Sequence, residues 1–189
     1  MTRIIALGLL LLPLLGRAAD VAGVRIEDTA RVGSQNLVLN GAGLRVKVFF
    51  RIYAAGLYLT EKTGSAATAL SLAGPKRVSM TMLRDLSAQQ LIDALNDGMR
   101  NNHPPAEFEK LRSRAERLSA TMSAIGAAKS GSVITLDYLP EAGTRVTLDG
   151  EPKGEAIAGE DFYRALLRIW LGEDPVDSSL KKALLGQGG

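Results

Sequence analysis

The chain has 189 residues, with 23 Lys and Arg against 20 Asp and Glu, no cysteine and a single histidine. The lack of thiols excludes a disulfide framework and a thiolate metal site, and one histidine offers too few nitrogens for an ordinary zinc centre. Neither metal nor other cofactor is expected, and the balanced charge lacks the basic excess that nucleic-acid binding requires.

The first residues carry their own signal. Met1-Thr2-Arg3 is a short positive start, Ile4 to Leu15 is unbroken apolar, and Gly16-Arg17-Ala18 supplies small residues before a cut. This order predicts a secretory signal peptide over residues 1–18, cleaved after Ala18. Its 12 apolar residues fall short of the roughly 20 needed to span a bilayer. Removing 18 residues from 189 leaves 171, and removing Arg3 and Arg17 leaves 21 basic against 20 acidic, a net charge of +1. A chain of that size makes one domain, expected over residues 19–189. No later segment approaches membrane-spanning length, so the expected product is soluble and either periplasmic or secreted.

Val24 and Ile26 alternate with polar neighbours, which predicts a short first strand. A second strand is expected from Asn36 to Asn40, ended by a Gly41-Ala42-Gly43 break. Leu44 to Leu59 has a period near two and reads as one long strand or a tight pair. Ser65 to Ala73 predicts a short helix stopped at Gly74-Pro75, and residues 76–84 a further strand. Ser87 with Gln90 forms a capping box that opens a helix bearing Leu91, Ala94 and Leu95 at helical spacing. After Asn101-Asn102-His103, Pro104-Pro105 begins a second helix with Phe108, Leu111, Ala115, Leu118 and Met122 as its buried stripe. Strands follow at Ser132 to Tyr138, Thr144 to Leu148 and Lys153 to Ala158, the last pair joined at Asp149-Gly150. Helices close the chain at Asp161 to Leu171 and Ser178 to Leu185. With no βαβ rhythm, the class is α+β around a mainly antiparallel sheet.

No phosphate-cradling loop, nucleophile elbow or zinc-binding His pair is present. His103 reads as a surface residue, Trp170 as core, and the carboxylates are too scattered to pair as acid and base. The β-patterned stretch is more informative. Arg45, Arg51 and Tyr53 share one parity, placing guanidinium and phenol groups among Phe49 and Ala55. Such a face could seat a carboxylate or enolate oxygen through a charged fork and a phenol donor. The same alternation fits a plainly wet face with snorkelling side chains, and the pattern leaves both readings open.

Leu39-Asn40-Gly41-Ala42-Gly43-Leu44-Arg45 and Phe49-Phe50-Arg51-Ile52-Tyr53-Ala54-Ala55-Gly56-Leu57-Tyr58-Leu59 resemble the chalcone isomerase-like family, above all its bacterial exported branch. Leu83-Arg84-Asp85-Leu86-Ser87, Asp137-Tyr138 before Gly143-Thr144, Gly159-Glu160-Asp161-Phe162, Ile169-Trp170-Leu171-Gly172, Leu180-Lys181 and Leu184-Leu185-Gly186 extend the likeness over nearly the whole mature chain. The resemblance implies an open-faced β-sandwich, a mainly antiparallel sheet covered by helices, with a ligand cleft between the layers. The family includes true isomerases, which close a flavanone ring on an arginine. It also includes plant proteins that hold a fatty-acid carboxylate on the same arginine and a tyrosine.

Carried over by that resemblance, the shared arginine is Arg45, and Tyr53 stands where the fatty-acid binders have tyrosine and the isomerases threonine. The isomerases' helix tyrosine falls at Leu91, their asparagine near Gly98 (between Asn96 and Asn101), and their C-terminal threonine or serine at Ile169. The leading expectation is therefore an exported, non-catalytic binder of a small amphipathic carboxylate such as a fatty acid. Arg45 would hold the head, Tyr53 would donate to it, and Leu91, Leu95 and Ile169 would line the tail pocket. Two alternatives stand beside it: an isomerase or lyase for an enone or phenol using Tyr53, Tyr58 or Tyr138, and an envelope partner-binding protein with a vestigial cleft.

Overall fold

The structure is a computed structural model that describes residues 18–188, so residues 1–17 of the predicted signal peptide lie outside it. The chain runs β1 (Ala19–Val21), β2 (Val24–Ile26), β3 (Thr29–Val32), β4 (Gln35–Lys47) and β5 (Phe50–Leu59), then α1 (Ala66–Ser71). Next come β6 (Lys76–Met82), β7 (Leu86–Ser87), α2 (Ala88–Asn101), α3 (Pro105–Ile125) and β8 (Ala127–Ala128). It ends with β9 (Val133–Leu139), β10 (Gly143–Leu148), β11 (Glu151–Ile157), α4 (Glu160–Leu171) and α5 (Ser178–Leu184). Seven strands form one antiparallel sheet in the order β11-β10-β9-β6-β5-β4-β3. The expected α+β class and helix-covered antiparallel sheet are observed.

The helices bury one face of this sheet. Leu57, Leu59, Val78, Met82, Ile134 and Leu136 pack there with Leu118, Met99, Leu166 and Leu180 in the main core. The other face carries a smaller cluster of Ile26, Val32, Leu37, Leu39, Ala54, Tyr58 and Leu139, covered in part by the β1–β2 hairpin. Each fully buried aliphatic side chain contributes about 1.5–3 kcal/mol of transfer free energy.

The Gly41-Ala42-Gly43 segment does not break the strand, as its composition suggested; β4 runs straight through it to Lys47. A bulge between Leu39 and Gly41 leaves Asn40 as the extra residue. Because side chains alternate, that one residue exchanges the faces. Leu39, opposite Tyr58, faces the small cluster, whereas Gly41, Gly43 and Arg45, opposite Leu57, Ala55 and Tyr53, face the helices. The buried Asn40 amide donates to the Leu184 carbonyl oxygen at 2.7 Å and its own oxygen accepts from Thr63 N at 2.7 Å. Helix α5 lies directly on the two glycines: a Cβ at Gly41 would stand 2.1 Å from Ala183 O, and one at Gly43 2.5 Å from Ala183 Cβ. Glycine is chosen here for the approach of a helix, not for a turn.

The remaining departures are local. Leu44 to Leu59 resolves into a tight pair of strands with Val48-Phe49 as its turn. His103, expected at the surface, is buried, and its Nδ1 donates to the Met99 carbonyl oxygen at 2.7 Å, closing the end of α2. The Ser87–Gln90 capping box and the buried stripe of α3 form as the spacing predicted.

Gly41→Ala should therefore destabilise the fold by about 1–3 kcal/mol, as overpacking against a helix backbone does. Gly64→Ala, where the nearest atom to a new Cβ is 3.7 Å away, should change stability by less than about 0.5 kcal/mol. Urea midpoints of the two variants check the contrast, and equal midpoints would refute the close-approach account.

Candidate ligand-binding site

Cross-strand pairing places Arg45 of β4 beside Tyr53 of β5, with the guanidinium carbon 5.5 Å from the phenol ring centre. Tyr53 is buried at 4 % exposure, and its hydroxyl oxygen accepts from Trp170 Nε1 of α4 at 2.8 Å. That bond occupies the acceptor side of the hydroxyl and leaves its proton free to be given elsewhere. Burial pushes the Tyr53 phenol above its ordinary range, against the opposing pull of the Arg45 charge. The group is thus a neutral donor across the physiological range and a poor base.

The Arg45 Nε is buried without a hydrogen-bond partner, and the guanidinium joins no ion pair among the described residues. An unsatisfied buried polar atom costs about 1–3 kcal/mol, and this one is a donor still open to an acceptor.

Arg45 and Tyr53 stand at the junction of two cavities. An open chamber of ≈ 570 Å³ reaches outward between the β4–β5 hairpin, α2 and the loop after α4, past Lys47, Phe50, Arg84, Asp97 and Asp174. Inward lies an apolar recess of ≈ 60 Å³ walled by Leu91, Leu95, Ile169, Met80, Met122 and Trp170. Both share Arg45, Tyr53, Leu91, Ala94 and Val176. Asn102 fixes the wall: its amide donates to Gly98 O at 2.9 Å and Asp174 O at 2.7 Å, tying the end of α2 to the loop.

All the residues singled out from the sequence, Arg45, Tyr53, Leu91, Leu95 and Ile169, meet around this recess. Leu91 and Leu95 arrive on one face of α2, and Ile169 comes from α4. A Cβ at Gly98 would lie 2.8 Å from Ile169 Cγ2, so the positions the resemblance matches to an asparagine and a hydroxyl residue are filled as an interlocking apolar pair. The structure does not bring the other tyrosines in. Tyr58 lies on the opposite sheet face, its hydroxyl donating to Glu27 O at 2.9 Å, and Tyr138 packs against Tyr163. Arg51, of matching parity in the sequence, is turned to the other face by a bulge at Ile52, pairs with Val46 and is exposed outside both cavities. Sequence reasoning missed Met80, Met122 and Val176, and it read Trp170 only as core. Met80 was within reach, since it alternates with Val78 and Met82 on β6.

Among the described residues no group of His, Asp and Glu could hold a metal ion, and no helix is long and apolar enough to cross a membrane. Asp137 and Asp161, two of the scattered carboxylates, are engaged by Arg77 at 2.6 Å and Arg114 at 2.6 Å.

Comparison with known proteins agrees with this architecture. The family model described as chalcone isomerase-like matches residues 18–186. A crystal structure of a fatty-acid binding protein from Arabidopsis thaliana is similar, with a TM-score of 0.67 and 15 % identity over 88 % of this chain and 93 % of that one. No curated protein sequence is significantly similar.

The Trp170–Tyr53 bond gives a stability test. Trp170→Phe and Tyr53→Phe each strand one buried partner and should each cost about 1–3 kcal/mol. The double variant should cost less than their sum by at least about 0.5 kcal/mol, because it removes both partners together. Additive losses in a double-mutant cycle of urea midpoints would contradict the coupling.

Proposed function

The chain belongs to the chalcone isomerase-like family, and on that footing we propose that it is an exported, non-catalytic binder of a small amphipathic carboxylate such as a fatty acid. The observation that carries the reading is Arg45: a partly buried guanidinium with an unpartnered Nε at the entrance of an apolar recess. A carboxylate accepts from such a group through charge-assisted bonds, and the free proton of Tyr53 supplies a further donor beside it. The chamber of ≈ 570 Å³ falls within the ≈ 300–1,000 Å³ usual for ligand sites. The recess behind it is small, but Met80 and Met122 are unbranched and give it walls that can repack around a chain. The Arabidopsis protein of similar fold is named a fatty-acid binding protein, which adds weight to the same class of ligand.

The non-catalytic half of the reading rests on what surrounds the arginine. The one titratable neighbour in the recess is Tyr53, which burial keeps protonated. The positions matched to the isomerases' polar partners hold Leu91, Gly98 and Ile169, and positioned partners typically contribute a few kcal/mol each to such a step. Export rests on the Met1 to Ala18 pattern.

Arg45→Ala should weaken a long-chain fatty acid by at least about tenfold in isothermal titration, the worth of a charge-assisted bond, and Arg45→Lys should restore part of that. The methyl ester of the same acid should bind wild type about as poorly as the acid binds Arg45→Ala. Unchanged affinity in Arg45→Ala would sink the proposal.

A further inference from the structure

The hairpin that delivers Arg45 and Tyr53 ends in an unusual tip. β4 and β5 are joined by two residues, Val48 and Phe49, closed by Lys47 opposite Phe50. Tight hairpin turns favour Gly, Asn or Asp, because the backbone must enter the positive-φ region. Here Val48 takes φ 59, a conformation in which a β-branched residue is an outlier. The large hydrophobic residues exposed among the described residues are Val46, Val48, Phe49 and Phe50, at 40, 75, 91 and 58 %, and all stand on this one tip. Strain and exposure together are costs without a gain inside the fold, so the gain lies in something the tip enters.

Charge says what that is. The hairpin from Gln35 to Leu59 contains no Asp or Glu, while Lys47 and Arg51 flank the tip and are exposed. Arg84, also exposed, lays its guanidinium 4.5 Å from the Phe50 ring centre. None of the three cations joins an ion pair among the described residues; Asp85 beside Arg84 is engaged by Lys129 at 2.9 Å. Aromatic and branched apolar side chains at a point, ringed by unpaired cations, suit the interface of an anionic bilayer. A protein partner needs roughly 800 Å² of matched surface from each side, more than one protruding turn supplies. Position completes the argument. Lys47, Val48, Phe50 and Arg84 also line the mouth of the chamber, whose other rim, on α2 and the loop after α4, bears Asp93, Asp97 and Asp174. Attraction on one rim and repulsion on the other tilt the mouth so that the hairpin side meets the lipid.

We propose that the β4–β5 tip is a membrane-docking finger: Val48 and Phe49 enter the headgroup region of an anionic bilayer, Lys47, Arg51 and Arg84 pair with lipid phosphates, and the chamber opens onto the membrane for its ligand to pass. The direction of transfer is open to either side, and the ligand itself rests on the fatty-acid reading above.

The test is flotation with vesicles of phosphatidylcholine alone and of equimolar phosphatidylcholine and phosphatidylglycerol. The exported chain is used as its host processes it, with variants compared in the same form. Wild type should bind the anionic vesicles and release them as salt rises. Phe49→Asp should weaken binding by about tenfold or more, the loss of one inserted aromatic, and Arg51→Glu by about fivefold or more. Neither side chain lines the cavity, so fatty-acid affinity measured without vesicles should be unchanged in both. Vesicle binding that neither variant alters would overturn the proposal, as would intact fatty-acid affinity with no vesicle binding. A wild-type dimer that Phe49→Asp dissociates, again with no vesicle binding, would reassign the tip to a second copy of the chain. Tip-dependent vesicle binding by a chain without fatty-acid affinity would uphold the finger and remove the carrier reading alone.

Discussion

A single extra residue in β4 decides how this molecule is put together. The bulge at Asn40 reverses the side-chain parity of the strand, so the half before it builds the small cluster and the half after it faces the helices. Without that step Gly41 and Gly43 would turn away from α5, and Arg45 would point to the opposite face of the sheet. The bulge is held by its own side chain, because Asn40 bonds both to the end of α5 and to the loop that leaves β5. One buried amide thus fixes the docking of the C-terminal helix and the aim of the site arginine together.

From that constraint the site follows by packing. The glycines let α5 sit on β4, and Asp177 at its start accepts from Val46 N at 3.0 Å while capping the helix. The backbone next to Arg45 is thereby fastened to the element that closes the sheet. Tyr53 is held from the other side by Trp170, so the two polar residues of the recess are positioned by β4, β5 and α4 and not by a loop. A site on paired strands keeps its geometry when empty, which lowers the ordering cost of binding. The accompanying debit is the unpartnered Arg45 Nε, a local instability that a bound carboxylate would relieve.

Much of this was legible in the chain. Period-two alternation located most of the sheet strands though not the edge strand β3, the Ser87–Gln90 box located α2, and parity placed Arg45 with Tyr53, because antiparallel neighbours opposite one another share a face. What escaped was the part that depends on distant packing. Gly41-Ala42-Gly43 reads locally as a break, and only the position of α5 shows it to be a seat. The turn at Val48-Phe49 carries none of the residues that announce a hairpin, so the strand pair could not be separated from one long strand. Arg51 shares the parity of Tyr53 in sequence, but a second bulge leaves Ile52 as an extra residue of β5, so Arg51 pairs with Val46 and turns to the opposite face of the sheet. Tyr58 was excluded by the face its parity gives it, and Tyr138 by its place further along β9 on the helix-covered face, where it packs on Tyr163. His103 was buried by the meeting of α2 with its neighbours, which composition does not encode.

The central claim is that the cavity at Arg45 exists to hold an amphipathic acid. The most direct measurement is native mass spectrometry of the protein isolated from its own cells, followed by organic extraction of whatever travels with it. The account predicts a stoichiometric adduct that resolves on extraction into one or a few long-chain carboxylic acids. A protein that is empty when isolated, and stays empty after incubation with such acids, would contradict it.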